Sequence, residues 1–259
     1  NFKTVLDYSY DGTMKSFEQS LNRLNTIYID ICLIHDVDYF NHKEKLDYYF
    51  DQSINGSYKA IRKLKEEKVI KAIGIGVNDS DVANRFLKKE KFDYVLIAGR
   101  YTLLDQSASD DLFKTAENNN VKVILGGVFN SGILAKGENN STFFYQPTPQ
   151  KIKKRYLEIK KICENFNISI QSVAIQFAHK PKVVESIVIG MDNIKQINKN
   201  INYFENEIPD ELWSELNKIN IKNNVNIKKK YVNVNFLIKV TSYFSSRCKM
   251  KYYRNNQKE

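Results

Sequence analysis

From one end of residues 1–221 to the other, segments with apolar residues at every third or fourth position alternate with short runs of Val, Ile and Leu. Asp11 to Leu24 places Met14, Phe17, Leu21 and Leu24 on one helical face, and Ile27 to Ile34 then reads as a strand. Ser53 to Lys68 repeats the helical spacing at Tyr58, Ile61 and Leu64, followed by strand-like VIKAIGIG at 69–76. The order continues as helix 80–89, strand 93–98, helix 107–118, strand 121–126, helix 149–165 and strand 185–189, closing with helices 192–203 and 210–219. Strands of continuous rather than alternating apolar character are buried on both faces, which predicts an α/β fold with a parallel sheet. A (β/α)8 TIM barrel and an open doubly wound sheet both fit this order, because periodicity does not encode connection order.

The 259 residues suffice for one large domain, since such barrels commonly use about 250. Apolar residues at 42% and charged residues at 27% are those of an ordinary globular protein. No apolar run approaches the roughly 18 residues that a membrane-spanning helix needs, so no membrane partner is expected. Cys32, Cys163 and Cys248 are widely separated, without metal-ligand spacing, which suits a reducing, cytoplasmic setting and makes zinc a poor expectation. Asn1 is preceded by no initiator Met or leader, so the sequence reads as a fragment.

A net charge of +10 invites a nucleic-acid reading, but nearly all the excess lies beyond residue 221, where Glu259 is the lone acid among many Lys and Arg. Residues 222–259 therefore read as a basic, Asn/Lys-rich tail apart from the 1–221 body, expected to be disordered solvated chain. Its interleaved Tyr and Phe residues leave a nucleic-acid or anionic-surface arm as the rival function, and YVNVNFLIKV within it alternates well enough for an edge strand.

Candidate chemistry sits where strands end. His35 closes the run YIDICLIHD, at the position where a parallel-sheet protein faces its ligand crevice; a buried His bonded to a backbone carbonyl is the competing reading. GIGVND at 74–79 lacks the third Gly of a dinucleotide fingerprint, so a tight turn with Asp79 or Ser80 capping the next helix competes with phosphate binding. Asn78 there faces the same crevice as His35. IGMDN at 189–193 is either a phosphate-holding helix start or a plain turn. The long loop 127–148 has the length of a substrate-binding lid. His42, in a polar loop, and His179, before Pro181, read as surface or capping residues. No Gly-x-Ser-x-Gly elbow, Walker loop or His-Glu-x-x-His is present, which argues against serine hydrolase, P-loop kinase and zinc protease chemistry.

Four strings together resemble the aldo-keto reductase family: DYSYDGTMKSFEQSLNRL, IDICLIHD, AIRKLKEEKVIKAIGIGVN and SIVIGMDNIKQINKNI. AGRYTLLDQ at 98–106 and FNSGIL at 129–134 further resemble its sugar dehydrogenase branch, the L-fucose, D-threo-aldose and L-galactose dehydrogenases. The similarity runs from about Val5 to Leu216.

The resemblance implies an incomplete TIM barrel of about five strands, its first three βα units missing, and an NAD(P)-dependent oxidoreductase acting on the CH–OH group of a small sugar or carbonyl compound. His35 stands at the position of the family's catalytic His. The Asp, Tyr and Lys that complete the tetrad have no counterpart here, and neither Tyr8 nor Tyr10 fits the Tyr by register, so the chain alone is expected to be inactive. Cofactor contacts are implied at Asn78, Gly126, Gly190, Met191, Asp192, Gln196 and Asn200. Gln196 replaces the Arg common in NADP-preferring members, which favours NAD, with NADP as the second choice. Ala98 stands where the family has a carboxamide-binding Gln, and Gly126 where it has a nicotinamide-stacking Tyr.

Overall fold

The computed structural model describes residues 5–139 and 141–219. The basic tail and the edge strand expected within it lie outside the described residues, as does Cys248.

Helix α1 (Tyr10–Leu24) is capped at its start by the Ser9 side chain, which accepts from the Gly12 amide, and ends on Asn25 in the left-handed conformation. Strand β1 (Ile31–His35) follows. Short helices α2 (Tyr39–His42) and α3 (Leu46–Gln52) then run through a π-turn at Ser53–Tyr58 into α4 (Lys59–Glu66). The remaining body is β2 (Ala72–Val77), α5 (Ser80–Lys89), β3 (Tyr94–Ala98), α6 (Leu112–Asn118) and β4 (Lys122–Gly126). After α7 (Ile133–Lys136), the two-residue strands β5 (Thr142–Phe143) and β6 (Gln146–Pro147) make a small antiparallel hairpin. Helices α8 (Gln150–Asn165) and α9 (Ile170–His179), strand β7 (Val184–Val188), and helices α10 (Ile194–Glu205) and α11 (Asp210–Lys218) complete the order.

Strands β1, β2, β3, β4 and β7 form one parallel sheet in that order. Sequential order with a helix between neighbours is the winding of a β/α barrel wall rather than of a doubly wound sheet, whose strand order reverses. The outer edges of β1 and β7 pair with no further strand among the described residues.

The strand period of two assigns each residue to a face. Ile34, Ile73, Ile75, Val95, Ile97, Val123, Leu125 and Ile187 pack toward the helices in the main core. Leu33, Tyr94, Leu96, Ile124 and Val188 form a separate cluster on the opposite, inner face. His35 follows Leu33 by two and therefore belongs to that inner face, at the carboxyl end. Both described cysteines are free, and burial pushes the thiols up, Cys32 to about 11 and Cys163 to about 12, which disfavours the thiolate.

Three expectations need correction. Gly74 and Gly76 lie inside β2 rather than in the turn after it; Asp79 does cap the next helix, accepting from Asp81 and Val82. The polar stretch around His42 is helical, and His42 itself is only 6% exposed. His179 is likewise buried, at the end of α9, because that helix is enclosed on nearly every side; its ring packs edge-on against Phe204.

Candidate functional site at the carboxyl ends of the strands

His35 ends β1 opposite Gly76, its register partner on β2. A Cβ on residue 76 would lie 3.0 Å from His35 Cδ2 and 3.8 Å from its Nε2, so the ring edge occupies the space that glycine leaves. Asp36 adopts the left-handed conformation (φ 59°), a region that Asp tolerates better than most residues. The turn brings Asp36 Oδ2 to 3.0 Å from His35 Nδ1. That contact fixes the tautomer: in neutral imidazole Nδ1 carries the proton toward the carboxylate, and Nε2 keeps a lone pair. The side chain is 50% exposed, so the ring is reachable from outside and is not the carbonyl-bonded buried His of the competing reading.

Beside it, at the ends of β2, β3 and β4, opens a cavity of about 270 Å3 lined by residues that include Asp38, Lys43, Asn78, Ala98, Arg100 and Asn130. Asn78 Nδ2 approaches Asp38 Oδ2 at 3.4 Å, and the Asn78 carbonyl accepts from Arg100 Nε at 2.7 Å. Arg100 also pairs with Asp105 at 3.3 Å and stacks on Phe144, whose ring centroid is 4.1 Å from the guanidinium carbon. Phe144 and Tyr145 form the tip of the β5–β6 hairpin, both with positive φ, so the long loop folds back over the cavity. Gly99 is required beneath it: its φ is +72°, and any Cβ would meet Phe144 at 2.8 Å.

Asn130 is 2% exposed and donates from Nδ2 to the Gly99 carbonyl at 3.3 Å, while its Oδ1 has no hydrogen-bond partner. A buried amide oxygen without a donor is costly, and Asn130 is one of the residues that line the cavity. Gly126 abuts this wall, since a Cβ there would lie 3.4 Å from Ala98 Cβ.

The other expected cofactor residues are on the loop after β7. Gly126 pairs with Val188, which puts that loop at the same end of the sheet as the cavity, although its residues do not line the cavity. Space around Gly190 is open, with nothing within 4 Å of a Cβ there. Asn193 caps α10 by accepting from Gln196 N at 2.9 Å, and Gln196 Oε1 accepts from Asp192 N at 3.0 Å, so Gln196 folds back onto its own loop. Met191 packs against the core, and Asn200 is buried on α10. Of the expected site residues Asn78 alone lines the cavity; Gly126 abuts its Ala98 wall, His35 stands at the adjoining strand end, and Gly190, Met191, Asp192, Gln196 and Asn200 lie outside its lining.

Sequence reasoning missed Arg100, Asn130 and a polar cluster beneath His35. In that cluster the Tyr8 hydroxyl donates to the His35 carbonyl at 2.9 Å and lies 3.1 Å from His42 Nε2. His42 also packs on Tyr49, with ring centroids 4.1 Å apart. Burial holds the His42 ring below its ordinary affinity for protons, partly opposed by Asp38 and Asp36. Nothing in the spacing of residues 34 positions apart signals such a contact. Among the described residues no group of three or more His, Cys, Asp or Glu is placed to hold a metal, and no helix is long and apolar enough to cross a membrane.

Comparison with known proteins agrees with this architecture. The chain is 35% identical over 218 residues to a pyridoxal 4-dehydrogenase of Microbacterium luteolum, covering 83% of this chain and 64% of that protein. It is 33% identical over 212 residues to a D-threo-aldose 1-dehydrogenase of a Pseudomonas species, covering 81% and 62%. The chain thus spans less than two thirds of either relative. In fold it is similar to an aldo-keto reductase of Bacillus halodurans, with a TM-score of 0.63 at 22% identity over 83% of this chain and 68% of that one. The profile of the Aldo/keto reductase family matches residues 4–221, and the chain belongs to that family.

Proposed function

We propose that this chain carries the histidine and the cofactor wall of an NAD-dependent oxidoreductase acting on a CH–OH group, an aldose 1-dehydrogenase of the L-fucose or L-galactose type. The single observation that carries the reading is His35: an inner-face imidazole at a strand end, tautomer set by Asp36, beside a cavity with an unpartnered amide oxygen. Family membership and two relatives with dehydrogenase names support it, one of them an aldose 1-dehydrogenase.

The residues present fit a nicotinamide group. Asn130 Oδ1 lacks the donor that a carboxamide NH2 supplies, Asn78 offers a second polar contact, and Ala98, Gly99 and Gly127 line the cavity with little side-chain bulk, Gly126 standing behind Ala98, which leaves room for a flat ring. When bound, the nicotinamide supplies a hydride acceptor. Gly190, Met191 and Asp192 would border its phosphates, and Gln196 with Asn200 the adenosine end. Gln196 brings no positive charge for a 2′-phosphate, which is the ground for NAD over NADP.

His35 acts on the substrate. With its Nδ1 proton held by Asp36, Nε2 would accept a hydrogen bond from a substrate hydroxyl next to the reacting one, orienting the substrate and leaving the proton of the reacting hydroxyl for a separate base. The family's proton-accepting Tyr and its Lys have no assigned counterpart in this sequence, so the reading pairs cofactor binding with absence of turnover. In the same reading the five-stranded sheet is part of a (β/α)8 barrel.

The test is NADH titration of the 259-residue chain, followed by assay for NAD reduction with L-fucose and L-galactose. Saturable NADH binding, weakened roughly tenfold by Asn130→Ala as expected for one lost hydrogen bond, is the anticipated result. Absence of binding overturns the cofactor site, and measurable sugar oxidation overturns the assignment of the proton relay to residues outside this sequence.

A further inference from the structure

We propose that Tyr8 and His42 are positioning residues for His35, forming a donor chain that sets the end of β1 and re-aims the His35 ring when His42 takes up a proton. This rests on His35 being the working imidazole of the crevice.

The chain follows from counting protons. Tyr8 has one hydroxyl hydrogen and gives it to the His35 carbonyl at 2.9 Å. The 3.1 Å contact with His42 Nε2 then requires that nitrogen to be the donor. Neutral His42 is accordingly the Nε2–H tautomer, and the bonds run one way, from His42 to Tyr8 to the carbonyl of His35. Nδ1 is left as a lone pair, and the Asp36 backbone favours the protonated ring by accepting from it. Protonation therefore keeps the first two bonds and strengthens the pull on Asp36, the residue whose carboxylate holds His35 Nδ1.

Tyr8 is fixed enough to transmit this. Its carbonyl accepts from Ser57 N at 2.9 Å and Ser57 Oγ at 3.1 Å, and its amide donates to Gln52 Oε1 at 3.3 Å. The groups facing the pair are Asp36 and Asp38 from the loop after β1 and Tyr49 from α3. A cation on His42 draws the Asp36 and Asp38 carboxylates toward itself, and Asp36 is the group that orients His35. The same left-handed turn joins both events, since Asp36 donates its amide to the Gly76 carbonyl at 2.9 Å, across from the His35 ring.

The experiment is a pH series of imidazole nitrogen shifts by NMR on the 259-residue chain and on Tyr8→Phe, His42→Gln and His42→Phe. In the parent, the His35 signals should show an inflection at the pH where His42 titrates. His42→Gln keeps a donor for Tyr8 but cannot titrate, so it should retain the parent's high-pH His35 shifts and lose that inflection. Tyr8→Phe and His42→Phe should lose both features. A folded His42→Gln chain in which His35 keeps that inflection, or a parent in which it is missing, overturns the proposal. NADH binding is scored separately: its failure with the inflection intact removes the cofactor reading and leaves the relay standing.

Discussion

The His35 ring lies over Gly76 so closely that a methyl group on residue 76 would stand 3.0 Å from its Cδ2. Gly76→Ala should therefore turn the half-exposed imidazole off its Asp36 partner while costing under about 1 kcal/mol of stability, because the ring has solvent to move into. Gly74, two residues earlier, gives the contrast: a Cβ there would meet the Tyr94 carbonyl at 2.4 Å, and backbone cannot yield. Gly74→Ala should cost about 1–3 kcal/mol or more by denaturant unfolding. Equal losses for the two variants would contradict this account of the two glycines.

Tyr101 stacks on Phe177 with its hydroxyl buried and unpartnered. Removing a polar atom that folding strips of water should stabilise the protein, so Tyr101→Phe is expected to gain about 1 kcal/mol in urea unfolding. A loss of stability would show that the hydroxyl has a partner.

His42 gives acid sensitivity of a definite sign. Burial lowers its folded-state proton affinity below the ordinary 6.5, so the unfolded chain binds more protons than the native one as pH falls through that value. The stability present above 6.5 is lost progressively below it. Urea midpoints from about pH 7.5 to pH 5 should fall more steeply for the parent than for His42→Gln. Parallel slopes would remove His42 as the cause.

Cofactor choice is tested at α10. Gln196→Arg adds a planar cation where a 2′-phosphate would sit, and should improve NADPH binding relative to NADH by roughly tenfold or more, the worth of a charge-assisted hydrogen bond. An unchanged ratio would detach Gln196 from the adenosine end.

Much of the fold was legible because buried parallel strands leave uninterrupted Val, Ile and Leu runs, and each expected strand of the body lies within a residue or a few of its observed bounds. The place of His35 was legible for a related reason: a polar residue that closes such a run falls at the carboxyl end of the sheet. What stayed hidden depends on contacts that sequence spacing does not carry. Tyr8 and His42 meet across 34 positions, and the Asp- and Lys-rich stretch around His42 has loop composition although it folds as helix. The glycines of β2 resembled a phosphate loop, yet their role is to clear space for His35 and for the Tyr94 carbonyl, which depends on strand neighbours. Phe144 and Tyr145 turn the hairpin with positive φ and no glycine, so no turn signal marked the fold-back onto Arg100.

The central claim is that His35 stands at the rim of a nicotinamide site built by the strand ends, and NMR mapping of NADH binding tests it most directly. Saturable shifts should appear at His35, Asn78, Gly126, Asn130 and Gly190 to Asp192. Binding that leaves these residues unmoved and perturbs others instead, or no binding at all, would contradict it.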